Sequence, residues 1–519
     1  MSISLPELIS LGLYFALMLA IGLYAYRQST SDVSEYMLGG RRLHPAVGAL
    51  SAGASDMSGW MLMGLPGAVY LAGLNAAWIA VGLTIGAYLN YRFVAPRLRV
   101  YTEKADDAIT IPDYFEKRFA DSSHALRIIS SLVIVIFFTL YTSAGIVAGG
   151  KLFESAFGLD YRLGLFITAG VVLAYTMIGG FLAVSLTDFV QGTIMFFALL
   201  LVPIVALWGL GGFGGVEASV SAAPPAITPD GSQGPPRSQF FSWTEGLNLL
   251  GFVSLMSWGL GYFGQPHIIV RFMAIRSLKD IAVARYIGMS WMIVTLVGAV
   301  LVGLVGVAFV QENGLQADFT DPETIFILLS QSLFHPAIAG LLLAAILAAI
   351  MSTISSQLLV SSSSLTEDFY GTFVRQDASQ SERVMVGRIS VLAVSLVAIA
   401  LAFDRSSNIL SLVSNAWAGF GAAFGPIILM SLYWKGMTRD GALAGMIVGA
   451  GTVLFWLYAP VTIGGQSLSQ IIYEIVPGFI LAALTTYLVS AFGRKPTEAI
   501  TNAHQSVEAA LQSEPQPVL

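Results

Sequence analysis

Between Arg42 and Arg92 the only charged side chain is Asp56, set in the run Ser51-Ala-Gly-Ala-Ser-Asp-Met-Ser-Gly-Trp60. Hydroxyls, carbonyls and a carboxylate are hard oxygen ligands, suited to an alkali or alkaline-earth cation rather than to zinc or copper. The flanking residues are apolar, which places Asp56 near mid-membrane. An ionised carboxylate at that depth costs roughly 2.5–3.5 kcal/mol on insertion scales and marks function. The plain alternative is a protonated Asp hydrogen-bonded inside a helix bundle. Two glycines and three serines around one Asp disfavour a continuous helix. An unwound segment there would free backbone carbonyls to face a cation.

A second interruption is Ser257-Trp-Gly-Leu-Gly-Tyr-Phe-Gly-Gln-Pro266. Pro266 has no N–H, so the carbonyl of Tyr262 loses its helical partner. Trp258 and Tyr262, four apart, are expected on one helical face. Taken alone, this could be a proline kink with packing aromatics. A third element is Ala344-Ala-Ile-Leu-Ala-Ala-Ile-Met-Ser-Thr-Ile-Ser-Ser356. Its alanines form a small-residue stripe that lets another helix approach closely, and Ser352 continues that stripe with Thr353 beside it. Most membrane-helix hydroxyls merely bond the carbonyl one turn back.

The elements that position these residues must be membrane helices. The 519 residues are 56% hydrophobic and 11% charged, with net charge -6 and no cysteine. Soluble domains carry about 25% charged residues, so an ordinary soluble enzyme is excluded. A nucleic-acid binder lacks its basic cluster, and the absent cysteines exclude disulfides, thiolate metal sites and a cysteine nucleophile. Apolar runs of about 20 residues give thirteen spans. They lie at roughly 5–27, 44–71, 74–96, 125–154, 160–180, 185–211, 245–265, 280–310, 335–365, 386–403, 408–434, 439–459 and 472–492. The first lacks the basic start and cleavage site of a signal peptide. With alternating sides, 21 of the 25 Lys and Arg fall on one face. That asymmetry puts the N-terminus outside and the C-terminus in the cytoplasm.

The interruptions fall in spans two and seven, five helices apart. This is the spacing expected when each opens one half of a five-plus-five inverted repeat, with the substrate site between them.

Four segments carry a wider resemblance: Ser51–Gly64 (SAGASDMSGWMLMG), Trp258–Met273 (WGLGYFGQPHIIVRFM), Ile346–Ser356 and Ala416–Pro426 (AWAGFGAAFGP). Through these motifs the chain closely resembles the sodium:solute symporter family, from the first span to the last. The 212–243 and 311–322 loops and the tail carry none of the family's motifs. The resemblance implies an all-α integral membrane protein of the leucine-transporter fold, with core helices at spans 2–6 and 7–11. Residues 1–495 would form the transporter and 496–519 a short cytoplasmic tail, in a bacterial cytoplasmic (inner) membrane.

Na+ entry coupled to L-proline uptake is the implied activity, without a cofactor or a required protein partner and with membrane lipid as surroundings. Carried over, the Na+ site falls on main-chain carbonyls of Ala54, Met57 and Ala349 and the hydroxyls of Ser352 and Thr353. Asp56 matches an essential carboxylate near it. Ser58, Trp60, Tyr141, Trp258, Tyr262 and Pro266 fall on the substrate site. Tyr141, in FFTLYTSAG, has no signal in the residues themselves. Aromatic faces suit a pyrrolidine ring and its secondary ammonium. A channel would want a charged-rimmed continuous pore, and a sensor would want a signalling domain that 24 tail residues cannot hold. The same fold carrying another amino acid or a carboxylate stays open.

Overall fold

The computed structural model describes residues 4–28, 33–225, 234, 236–403 and 408–513. Most of the Pro-rich stretch before Arg237, Arg405 and the end of the tail lie outside these residues. Among the described residues the one sheet is a two-stranded hairpin, Thr462–Ile463 with Gln466–Ser467; the rest of the regular structure is helical.

In chain order the principal helices are α1 (Leu5–Gln28), α2 (Pro45–Asp56), α3 (Leu65–Ala72), α4 (Trp78–Leu89), α5 (Ala95–Lys104) and α6 (Ile111–Phe119). There follow α7 (Ala125–Phe157), α8 (Tyr161–Gly209), α9 (Leu249–Met256), α10 (Pro266–Ala274), α11 (Leu278–Glu312) and α12 (Ile325–Leu333). The last are α13 (Pro336–Ser363), α14 (Gln380–Leu401), α15 (Ile409–Tyr433), α16 (Arg439–Tyr458), α17 (Ile475–Phe492) and α18 (Glu498–Ser513). Ten helices among the described residues are long and apolar enough to cross a membrane, and Tyr161–Met177 and Leu249–Gly264 are shorter apolar helices. Ten is fewer than the thirteen spans expected from the sequence; one expected span is interrupted, its first helix α2 having only 12 residues.

Glycine sets one of these breaks. Within α8, Gly180 has φ 59 and ψ -153, and a Cβ there would meet the Tyr36 ring at 2.5 Å. A left-handed residue cannot continue a right-handed helix. Spans five and six therefore join at this single residue rather than through a loop.

The bundle is inverted relative to a soluble protein. Large apolar side chains such as Phe166, Phe197, Ile204, Trp208 and Phe492 face outward, while Asp56, Asp188, Arg271 and Asp368 are buried. An apolar exterior of this extent matches a lipid surround. At the centre stands α13, buried on every side from Leu342 to Leu359, its polar Ser352, Thr353 and Ser356 included. After residue 495, where the sequence reading expects only a polar tail, α18 packs Ile500, His504, Val507 and Leu511 inward. Their spacing of four, three and four is one helical face.

Candidate functional site

The first break is narrower than the sequence reading expects: helix α2 runs through Asp56, and only Met57 and Ser58 leave it. Met57 takes φ -82 and ψ 71, and the chain re-enters a helix as the wide π turn Trp60–Gly64. The break redirects one specific hydrogen bond. In a continuous helix the Ser58 N–H would donate to the Ala54 carbonyl. It donates instead to the Asp56 carbonyl at 3.0 Å. The Ala54 carbonyl is thereby freed, and it accepts from Ser352 Oγ at 2.7 Å and from Thr353 Oγ1 at 3.5 Å.

Both hydroxyls also make the bland bond within α13, each donating to the Ala349 carbonyl at 3.1 Å. What separates them from ordinary back-bonding hydroxyls is the reach to a second helix. Ala54, Ala349, Ser352 and Thr353 thus present hydroxyl and carbonyl oxygens at one point, and Met57 sits at the adjoining break. This donor set fits a hard monovalent cation.

The second break lies between the 3-10 turn Ser257–Gly264 and α10, with Gln265 extended at ψ 106. As expected, the Tyr262 carbonyl has no helical donor; the Asn90 side-chain amide supplies one at 3.0 Å. Trp417 Nε1 donates to the Trp258 carbonyl at 2.8 Å, and Gln265 Nε2 donates to the Trp417 carbonyl at 3.1 Å. Side chains from α15 and from the π turn Asn90–Val94 therefore satisfy a backbone that buried solvent would otherwise have to serve. Glycines bring α4 within reach, since a Cβ on Gly86 would meet the Gly259 carbonyl oxygen at 2.2 Å.

One expectation is corrected here. A 3-10 helix turns about 120° per residue, so Trp258 and Tyr262 do not share a face. Trp258 stacks on Tyr473 at 5.4 Å and lies 6.2 Å from Trp60 between ring centroids. Tyr262 meets Trp417 edge-on at 5.2 Å and donates its hydroxyl to Asp56 Oδ2. That bond links the two broken helices directly. Asp56 Oδ1 has no hydrogen-bond partner among the described residues.

The expected substrate residues divide into two clusters flanking the first break. Trp60 and Trp258 form one, with Tyr473. Tyr262 and Ser58 adjoin Asp56, Tyr262 through its hydroxyl and Ser58 through its N–H on the Asp56 carbonyl, while Tyr141 is buried with no hydrogen-bond partner for its hydroxyl among the described residues. Pro266 starts α10, and its neighbour His267 meets Tyr141 at 6.1 Å between centroids. A cavity of about 20 Å³, bounded by Asp56, Asn90, Tyr262 and Met292, lies behind the carboxylate. That is about one water's worth of space, too little for an amino acid.

Sequence reasoning missed Asn90, Trp417 and Tyr473, which carry no spacing signal. It also missed Asp188, which the rule applied to Asp56 would have found, because Asp188 is the only charged residue between Arg162 and Glu217. Arg271, counted there as a residue of the cytoplasmic face, is fully buried. Its guanidinium is 3.3 Å from Asp188, donates to Ser51 Oγ at 3.1 Å and bonds Ser356 Oγ. A buried pair of this kind is held by its surrounding hydrogen bonds as much as by Coulomb attraction. It joins α2, α8, α10 and α13 beneath the site.

Two interrupted helices meeting at a buried polar centre, within an apolar many-helix body, define a secondary transporter of the membrane. The chain belongs to the sodium:solute symporter family, whose sequence profile matches residues 36–449. It is 57% identical over 496 residues to the osmoregulated proline transporter OpuE of Bacillus subtilis (strain 168), covering 96% of each chain. It is 55% identical over 491 residues to a sodium/proline symporter of Staphylococcus aureus (strain JH9), covering 94% of this chain and 93% of that one. In fold it resembles a Na+-coupled sialic acid symporter solved in a substrate-bound outward-open state. The TM-score is 0.76 at 20% identity, over 95% of this chain and 99% of the other. A nucleobase-cation-symport-1 family transporter aligns at TM-score 0.53 and 13% identity, over 92% and 99% of the two chains.

Proposed function

We propose that this chain couples inward Na+ movement to uptake of L-proline across the bacterial cytoplasmic membrane. The observation that carries the reading is the freed Ala54 carbonyl facing Ser352 and Thr353, two residues from a carboxylate that is bonded to the second broken helix. Na+ bound by the carbonyls of Ala54, Met57 and Ala349 and the hydroxyls of Ser352 and Thr353 would tie α2 to α13 and order the first break. Ordering that break fixes Asp56, and through it Tyr262. Ion occupancy is thus transmitted to the aromatic residues that receive the solute, and the linkage is reciprocal.

Trp60, Tyr141, Trp258 and Tyr262, with Ser58 and Pro266, would take the proline. Its flat ring packs against aromatic faces and its ammonium gains from their quadrupoles. The chain does no covalent chemistry; the gradient does the work. A membrane potential supplies ~2.3 kcal/mol per charge per 100 mV, and a tenfold Na+ gradient about 1.4 kcal/mol. With one Na+ per solute, these allow roughly 500-fold accumulation. The proline-transporting relatives at 55–57% identity favour proline over another amino acid or a carboxylate.

The pocket assignment is tested by Tyr262→Leu. Losing one ring face at a desolvated site should weaken Na+-saturated proline binding about two- to thirtyfold at normal yield of folded protein. Unchanged affinity would remove the second break from the pocket.

The architecture we infer has thirteen spans. The core is two inverted repeats of five, from α2 with α3 to the second half of α8 and from α9 with α10 to α15. The N-terminus lies outside, residues 1–495 form the transporter, and 496–519 are cytoplasmic. Cysteine replacing exposed Thr462 should react with an impermeant thiol reagent from outside, and cysteine replacing exposed Ser379 only after the membrane is opened. The reverse pattern would overturn the orientation.

A further inference from the structure

A cavity of about 380 Å³ opens where the π turn before α5, the end of α15 and helix α18 meet, and it is bounded by Arg92, Phe93, Arg97, Tyr433 and Glu508 among others. Arg92 lies in the π turn Asn90–Val94 and Arg97 in α5. Side chains five apart point about 140° away from each other on a regular α-helix. The extra residue of a π turn brings these two round to one face.

Their partners differ. Arg97 is already fixed: its guanidinium lies 4.0 Å from the Tyr433 ring centroid, donates to the Leu432 carbonyl at 3.2 Å, and pairs with Glu508. Arg92 lies over Phe93 at 5.6 Å and has no ion-pair partner among the described residues. Two guanidiniums thus face the cavity against one carboxylate, leaving an uncompensated positive charge.

The depth of the cavity is fixed by its neighbours. Phe93 and Tyr433 are exposed, the next residue Trp434 stacks on Tyr487 at 5.4 Å, and exposed Phe492 ends α17. A girdle of aromatic residues at helix ends marks the membrane–water interface. A basic pocket between helices at that level suits an anionic headgroup, and 380 Å³ falls within the range of small-ligand sites.

We propose that this cavity binds the phosphodiester of an anionic phospholipid. Arg92 and Arg97 hold the phosphate, and the exposed faces of Phe93 and Tyr433 lie beside the glycerol and upper acyl carbons. Glu508 competes with the phosphate for Arg97, so occupancy is coupled to how α18 is held. The inference is independent of the solute and ion assignments above.

The test is binding of lipid to the purified full-length protein in detergent, read by native mass spectrometry. Phosphatidylglycerol, phosphatidylcholine and inorganic phosphate serve as separate probes. Phosphatidylglycerol should bind one saturable site, with phosphatidylcholine at least about tenfold weaker. Arg92→Gln should weaken phosphatidylglycerol about fivefold, the factor expected for one basic group at a membrane surface. Glu508→Gln should tighten it, an opposite sign that a merely misfolded variant would not give. Lys279→Gln, an exposed basic residue elsewhere, should change nothing. Equal binding of both lipids, an equal fall in Lys279→Gln, or no tightening in Glu508→Gln would overturn the proposal. Displacement of phosphatidylglycerol by equimolar inorganic phosphate would overturn the lipid as occupant and leave free phosphate as the ligand.

Discussion

Asp56→Ala is expected to abolish Na+-driven proline uptake while the protein still folds and inserts, a fall of at least about a hundredfold, or roughly 2.7 kcal/mol. Asp56 links the two breaks through the Tyr262 hydroxyl, and it stands two residues from the carbonyl assigned to Na+. Removing it disconnects ion from solute even if each can still bind. The prediction therefore specifies a pattern: initial rates in proteoliposomes drop to those of empty vesicles, and proline affinity ceases to depend on Na+. Normal Na+ stimulation in this variant would make the carboxylate a structural residue only.

Thr353→Val keeps the side-chain shape and removes one proposed ligand oxygen. The Na+ concentration for half-maximal uptake should rise about five- to thirtyfold, as expected for loss of one buried polar interaction worth about 1–2 kcal/mol. Ser363→Ala is the matched control. Ser363 Oγ donates to the Leu359 carbonyl at 2.9 Å within its own helix and reaches no second element in doing so. Comparable effects of the two substitutions would return Thr353 to ordinary back-bonding. The proline concentration for half-maximal uptake at saturating Na+ should shift little in Thr353→Val, because the threonine faces α2 and not the aromatic clusters.

Much of this site was legible from residue type alone. A lone carboxylate among serines and glycines in an apolar run, and a proline behind three glycines, each announce a broken membrane helix. The structure has a break at both. The extent of each break was not legible. That α2 stays helical through Asp56 depends on tertiary contacts which override the low propensity of Gly and Ser, since Ser51 is engaged by Asp188 and Arg271. The carbonyl of Tyr262 was expected to be orphaned, and its partner Asn90 could not be named, because 172 residues separate donor and acceptor. The face shared by Trp258 and Tyr262 failed for a local reason: the turn between them is 3-10 rather than α. Tyr141 entered by resemblance only, and nothing in its surrounding sequence distinguishes it from a packing aromatic. Asp188 was available to the same reasoning as Asp56, yet Arg271, its partner, reads from sequence as one more interfacial charge.

The proposed transport cycle has the Na+ gradient drive proline inward through this chain. Radiolabelled proline uptake in proteoliposomes, with an inward Na+ gradient and with the same concentration of K+ in its place, tests it most directly. Proline should accumulate transiently above equilibrium with Na+, the more so with an inside-negative potential, and should only equilibrate or stay outside with K+. Accumulation that is indifferent to Na+, or Na+-driven uptake of another solute with proline excluded, would contradict it.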